Sequence, residues 1–180
     1  MLTQLAVTFG SRYLLEQLVT KHPDRPFVLL ADTTDPTSLQ LVDVSDQPTI
    51  FFSRLSYRVL FSHGETDWHG FYHFLYFTFD PDDAKIFEDH LDRLVREALP
   101  VSMQTILVLQ KDRVAGEYVV LTIWDDSLAY ALWRHSYRFH AIAQFTQRAV
   151  SSHAATYRIA PSEEEESPDD PDDEQPPVTP

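Results

Sequence analysis

The sequence predicts an α+β fold of the ferredoxin-like type, preceded by a shorter α+β extension and followed by an acidic tail. After residue 70, the apolar spacing follows the order strand, helix, strand, strand, helix, strand. That order is the split βαβ arrangement of ferredoxin-like domains. We therefore expect an N-terminal subdomain at residues 1–64, a ferredoxin-like domain at residues 65–160 and a tail at residues 161–180.

The N-terminal subdomain is predicted as a βαββ extension from its apolar spacing and its turn residues. Residues 2–9 predict a strand, and residues 11–21 predict a helix that a proline ends. Residues 27–31 and 39–44 predict two strands around an Asp-Thr-Thr-Asp-Pro turn. Residues 49–61 mostly keep the alternation of a strand, although a short helix fits as well.

The second unit begins after a polar, glycine-containing turn at residues 63–65. Residues 71–79 predict a strand. The run Asp80-Pro81-Asp82-Asp83 then predicts a helix start, because proline loses no hydrogen bond there and the acids lie at the positive end of the helix dipole. This helix places apolar side chains on one face. They are Ala84, Phe87, Leu91, Leu94, Val95 and Ala98. Residues 102–110 and 118–124 predict a hairpin.

Two helices and a last strand complete the predicted order. Ser127 and Ser136 stand where helix N-caps would be, which predicts helices over residues 127–134 and 137–149. Residues 155–159 can return as a strand. Helices on one face of this sheet leave the other face bare, so we expect a homodimer that pairs through the bare face.

The strand at residues 71–79 is large and apolar or amphipathic on both sides. One side presents Phe71, His73, Leu75, Phe77 and Phe79, and the other presents Tyr72, Phe74, Tyr76 and Thr78. Helices are expected to cover one side. A dimer interface would cover the other, and a cavity that holds a planar apolar ligand fits as well.

The charge of the chain is concentrated in the tail. The 180 residues carry 28 acids, 14 lysines and arginines and a net charge of −14, and nine of the acids lie in residues 161–180. Neither part offers a basic stripe, so nucleic acid is not an expected partner. The acidic, proline-rich tail is predicted to be disordered and solubilising, and docking on a basic partner is the alternative.

The sequence also limits the compartment and the kinds of catalytic site. No window approaches the roughly 18 unbroken apolar residues of a membrane span. The start lacks a signal-peptide pattern, so a cytoplasmic protein is expected. Zero cysteines exclude disulfides and thiolate chemistry. Eight histidines are present, but none shows the spacing of a metal motif, and no phosphate loop or nucleophile elbow occurs.

Two stretches resemble a known family. The strand ending Leu121-Thr-Ile-Trp124, the helix ending at Trp133 and the Ser136-initiated helix resemble the C-terminal half of antibiotic-biosynthesis-monooxygenase-like domains. Residues 8–11, 21–23 and 27–32 are similar to the opening of a Firmicute subgroup that includes heme-degrading monooxygenase B and the signal transduction protein TRAP. The resemblance covers residues 1 to about 160.

The resemblance implies a dimeric α+β barrel that opens heme oxidatively, with the bound heme as its own cofactor and electrons from an external donor. In that subgroup a tryptophan, an asparagine and an axial histidine form the site, and they correspond to Trp124, Leu75 and Ala143. Leucine cannot hydrogen-bond an iron-bound oxygen, and alanine cannot coordinate iron. His140 lies three residues before Ala143, so it is the candidate iron ligand, and a partly exposed or capping histidine is the alternative. Trp124 is the candidate catalytic residue, and a core tryptophan is the alternative.

Three functions therefore follow from the sequence. The first is heme degradation, as the resemblance implies. The second is a non-catalytic binding or stress-signalling role on the same fold, which the residues at positions 75 and 143 favour. The third is oxygenation of a small aromatic compound without a cofactor, for which an aromatic pocket alone would suffice.

Overall fold

The structure is a computed structural model that describes residues 2–65 and 67–161. These ranges form eight strands, four α-helices and one 3-10 turn. The strands are β1 Gln4–Phe9, β2 Phe27–Asp32, β3 Leu39–Asp43, β4 Leu55–Gly64, β5 Phe71–Thr78, β6 Met103–Lys111, β7 Glu117–Trp124 and β8 Ser151–Ile159. The helices are α1 Arg12–Lys21, α2 Pro81–Val95, α3 Ser127–Trp133 and α4 Tyr137–Ala143, and the 3-10 turn Gln144–Gln147 follows α4.

All eight strands close into one antiparallel barrel in the order β1-β3-β2-β8-β5-β7-β6-β4, and β4 pairs back with β1. The first four strands are contiguous in the barrel as β4-β1-β3-β2, and the last four as β8-β5-β7-β6. Counted within each half, both orders are 4-1-3-2. The single chain thus contains two four-stranded halves of the same strand order, joined at the β2–β8 and β4–β6 seams.

Apolar side chains from both halves fill the barrel interior. Leu5, Val28 and Val42 from the first half belong to the same buried cluster as Tyr72 and Phe74 from the second. Tyr72 is 1% exposed and Phe74 is 2% exposed. The expectation that this face of β5 lies bare is therefore wrong. The premise for a dimer through it fails, because the chain covers the face with its own N-terminal strands.

The helices cover the outside of the barrel. Helix α2 buries Phe87 and Leu91 against the outer face of β5, β6 and β7, in a cluster that also holds Trp124 and Trp133. Helix α1 buries Leu15 against the outer face of the first half. In the described ranges, no helix has both the length and the apolar character that crossing a membrane requires.

Several predicted boundaries change in the structure. The N-cap of α3 is Asp126, whose side chain accepts from the backbone N–H of Ala129 at 2.8 Å, so the prediction of Ser127 as the cap is wrong. Ser136 does cap α4, accepting from the N–H of Phe139 at 3.2 Å. The ambiguous segment at 49–61 contributes a strand, and the predicted tail lies outside the described residues after 161.

Candidate functional site

A cleft of about 280 Å³ opens at the seam between the two halves of the barrel. The end of β2 and the loop after it form one part of its wall, and β5, β8, α3 and α4 form the rest. Its lining residues are Asp32, Thr34, His73, Leu75, Tyr130, Arg134, Phe139, Ala154, Ala155 and Thr156. The cleft therefore depends on the long-range pairing of β2 with β8.

His73 is a buried imidazole in the wall of this cleft. The residue is 2% exposed, and its ring lies 4.8 Å from that of Tyr130 and 6.4 Å from that of Phe139, centroid to centroid. Its Nδ1 is buried and has no hydrogen-bond partner among the described residues. Burial, and then the nearby charge of Arg134, lowers the pKa of His73 to about 4. At neutral pH the ring is therefore uncharged and can accept a hydrogen bond or a proton.

Apolar and aromatic side chains make up much of the remaining wall. Leu75 follows His73 on the same side of β5 and is 6% exposed, and Tyr130 is 8% exposed. Phe139 packs edge-on against Trp133, with ring centroids 5.1 Å apart. Behind this wall, Nε1 of Trp133 is also buried without a hydrogen-bond partner in the described ranges. Such walls suit a flat, mostly apolar ligand.

Arg134 is an exposed cation beside these rings. It follows Tyr130 by four residues, at the C-terminal end of α3, and its guanidinium carbon lies 6.0 Å from the Tyr130 ring centroid and 5.8 Å from that of Phe139. Within the described part of the chain, no carboxylate pairs with it. By contrast, Arg138 pairs with Glu97 at 3.1 Å. The cleft therefore has an uncompensated positive charge next to its neutral imidazole.

Asp32 is the acidic residue in the cleft wall, and residues of the turn that follows it donate hydrogen bonds to its carboxylate. Its Oδ1 accepts from the N–H of Thr34 at 2.7 Å, the hydroxyl of Thr34 at 2.6 Å and the N–H of Asp35 at 3.2 Å. Burial acts to raise the pKa of Asp32, but these hydrogen bonds outweigh it and hold the pKa below its usual value. Asp32 is thus ionised at neutral pH and fixes the loop that follows β2.

Part of the chain that forms this cleft matches a known family. Residues 71–144, which hold β5 and the helices beside the cleft, match the family described as antibiotic biosynthesis monooxygenase, or ABM. No curated protein matches the sequence.

Solved structures share the fold of most of the chain at low sequence identity. A major regulator of staphylococcal pathogenesis has a TM-score of 0.73 and 17% identity, covering 87% of this chain and 98% of its own. A monooxygenase-like protein from Listeria innocua has a TM-score of 0.73 and 18% identity, covering 87% and 94%. A heme-degrading enzyme from Listeria monocytogenes has a TM-score of 0.69 and 20% identity, covering 87% and 99%. These likenesses show the fold.

Among the site residues predicted from the sequence, Leu75 lines the cleft. Trp124 is fully buried in the core beneath it, and its Nε1 donates to the hydroxyl of Thr122 at 2.9 Å. Its ring packs 5.0 Å from that of Trp133, centroid to centroid. Trp124 therefore supports the cleft from behind and does not line it.

Helix α4 places the other two predicted residues away from the cleft lining. His140 is exposed, and its Nδ1 lies 2.8 Å from the carbonyl oxygen of Ser136 one turn earlier. Ala143 is the last residue of α4. The helix contributes Phe139 to the wall of the cleft instead.

The sequence analysis missed several residues of the cleft. Tyr130 and Arg134 are four apart on α3, and that spacing was the available signal for one helix face. Asp32 and Thr34 come from the first half of the chain. Their place beside β5 and β8 depends on the pairing of β2 with β8, which no local pattern indicates.

Proposed function

We propose that the ABM domain of this chain binds a compact aromatic compound with a hydroxyl group and oxygenates it without a heme. The observation that carries the proposal is His73, whose uncharged, buried ring lines the cleft and whose Nδ1 lacks a partner among the described residues. A buried polar atom without a partner costs roughly 1–3 kcal/mol. A rotation of the ring that presents Nδ1 to the cleft, together with a ligand hydroxyl that donates to it, would remove that cost.

The size and walls of the cleft support the same ligand class. At about 280 Å³ it lies near the lower end of the range for organic ligands, roughly 300–1,000 Å³. Leu75, Tyr130 and Phe139 offer apolar and aromatic surfaces to a flat ring. In the proposed role, His73 accepts the proton of the ligand hydroxyl as a general base. The description of the family supports oxygenation as the reaction that follows.

Heme fits the residues of the cleft poorly. An axial ligand must reach the iron, yet Leu75 and Ala143 occupy the corresponding positions and His140 does not line the cleft. His73 does line it, but its ring is already enclosed by Tyr130 and Phe139. The likeness to a heme-degrading enzyme supports a shared fold, and we expect weak or absent heme binding.

A binding or signalling role without catalysis is the second candidate. The residues at positions 75 and 143 favour it, because neither supplies a reactive group. Both candidate functions use the same ligand cleft, but only the first includes chemical conversion of the ligand. Consumption of dissolved oxygen in the presence of a bound hydroxyarene would separate them.

Ligand binding is tested with beta-naphthol and its methyl ether, which share a ring system but differ in the hydroxyl donor. We expect titration calorimetry to show naphthol binding roughly tenfold more tightly than the ether, as one hydrogen bond to a buried acceptor predicts. His73→Phe should remove that preference. His69→Phe is the matched control, because His69 is 77% exposed and lies outside the cleft.

Two results would contradict the proposal. If neither compound binds, the cleft is not a site for small aromatics. If both bind and His73→Phe leaves the ratio of their affinities unchanged, His73 is not the hydrogen-bond acceptor.

A further inference from the structure

We propose that the ligand of this cleft also carries an anionic group, a carboxylate or its equivalent, which pairs with Arg134. The inference rests on the proposed function and narrows its ligand class to hydroxylated aromatic acids. Three features support it: the position of Arg134, the ion pairs and hydrogen bonds of the charged residues around it, and the aromatic side chains of the cleft wall.

The position of Arg134 is the first argument. It lines the cleft together with His73, Tyr130 and Phe139. Its guanidinium carbon is within 6.0 Å of both ring centroids, so the two rings restrict where the side chain lies. Cation–π contacts of this kind leave the N–H groups of the guanidinium edge available to an acceptor.

The absence of a protein counter-ion is the second argument. Within residues 2–65 and 67–161, four of the six arginines on a helix or directly after one pair with an acid, and Arg93 and Arg134 do not. Arg12 pairs with Glu16 at 3.2 Å, Arg96 with Asp92 at 2.7 Å and Arg148 with Asp83 at 2.5 Å. Arg134 has no such partner in these ranges, although it lies beside a cleft with an acid in its wall.

Asp32 is that acid, and it does not neutralise Arg134. No ion pair joins the two side chains in the described structure, and Oδ1 of Asp32 accepts three hydrogen bonds from its own turn. The charge of Arg134 acts on His73 instead, where it helps to keep the ring uncharged. An anionic ligand group is thus expected beside Arg134, with the ligand hydroxyl near His73.

The geometry of the groups explains why a carboxylate is the best occupant. A guanidinium offers two parallel N–H groups that match the two oxygens of a carboxylate. The guanidinium carbon of Arg134 already lies 6.0 Å from the Tyr130 ring centroid and 5.8 Å from that of Phe139, so a ligand ring between the same walls would present its carboxylate toward the guanidinium. A neutral ligand would leave the cation without a partner.

The test uses para-hydroxybenzoate and para-hydroxybenzamide, which share the ring and the hydroxyl and differ in charge. We expect calorimetry on the full chain near pH 7 to give a dissociation constant roughly tenfold lower for the acid than for the amide. A charge-assisted hydrogen bond is strong enough to account for a difference of that size. Arg134→Gln should bring the ratio of the two constants near one. Arg134→Lys should keep part of the preference, because it retains the charge without the planar pair of donors.

Arg113→Gln is the matched control. Arg113 lies in the turn between β6 and β7, its side chain is 89% exposed, and it does not line the cleft. This variant removes the same charge from the chain, so it should keep the wild-type preference for the acid. A drop in preference equal to that of Arg134→Gln would show a general charge effect and would overturn the inference.

The possible results distinguish a failure of the Arg134 role from a failure of the proposed function. If the acid and the amide bind with equal affinity, an aromatic ligand is still supported, but the role of Arg134 is contradicted. That role is also contradicted if Arg134→Gln keeps the preference for the acid. If neither compound binds, the proposed function fails, and the anionic ligand fails with it.

Discussion

Mild acid is expected to destabilise this protein through His73. Burial, followed by the charge of Arg134, lowers the pKa of the folded residue from 6.5 to about 4. Between these values the unfolded chain binds a proton at this position and the folded chain does not, so stability falls as the pH is lowered. One pH unit corresponds to about 1.4 kcal/mol, so His73 contributes about 3 kcal/mol near pH 7 that is lost near pH 4.

Chemical unfolding at two pH values measures this contribution. We expect urea titrations, followed by tryptophan fluorescence, to give a wild-type stability that falls by about 2 kcal/mol more than that of His73→Phe between pH 7 and pH 5. Comparing the two pH values within each variant cancels the packing cost of the larger ring. His135→Phe is the control, because His135 is exposed and should leave the wild-type pH dependence in place.

A parallel loss of stability in wild type and His73→Phe would refute the reasoning. It would mean that the folded residue binds its proton with the same affinity as the unfolded chain. The lowered pKa of His73 in the folded protein would then be contradicted.

Three further predictions concern the fold. Gly70 has a φ of +111°, and an added Cβ would meet the carbonyl oxygen of Trp124, so Gly70→Ala should cost at least roughly 1–3 kcal/mol in thermal unfolding, while Gly10→Ala should be close to neutral. Sedimentation at micromolar concentration should give the mass of one chain, since the barrel closes within it; a dimer would point to an interface on the outer surface. Removing residues 162–180 should hardly change the melting temperature, and a fall of several degrees would mean that the acidic tail packs on the body.

Local patterns in the sequence were enough to predict the second half of the fold. The alternation at residues 71–79 and the Asp80-Pro81 start correspond to β5 and α2, and the hairpin corresponds to β6 and β7. These elements depend on side-chain period, on proline and on helix-start acids, which act over a few residues. The cap of α3 was misassigned because Asp126 and Ser127 are adjacent residues of equal capping ability.

The closed barrel could not be predicted from such patterns. Its seams pair Leu30 with Ile159 and Tyr57 with Lys111, residues that are far apart in the chain. The bare face assigned to a second copy is instead covered by the first half of the same chain. Local patterns indicated the strands of that half but gave no signal for their partners.

The candidate site also contains some features that local patterns predict and others that they do not. His73 and Leu75 share one side of β5, which alternation alone predicts. Trp124 and His140 were selected by resemblance to the heme-degrading subgroup. Their place in the structure, one in the core and one exposed on α4, follows from how α3 and α4 pack on the sheet.

The central claim is that His73 receives a ligand hydroxyl in this cleft, and nitrogen-detected NMR of the histidine ring tests it most directly. With the rings labelled with nitrogen-15, adding beta-naphthol near pH 7 should move the Nδ1 resonance of His73 in the direction of a hydrogen-bonded acceptor. The resonances of His135 and His140 should stay where they are. An unchanged His73 resonance at saturating naphthol, or a change confined to His140, would contradict this role of His73.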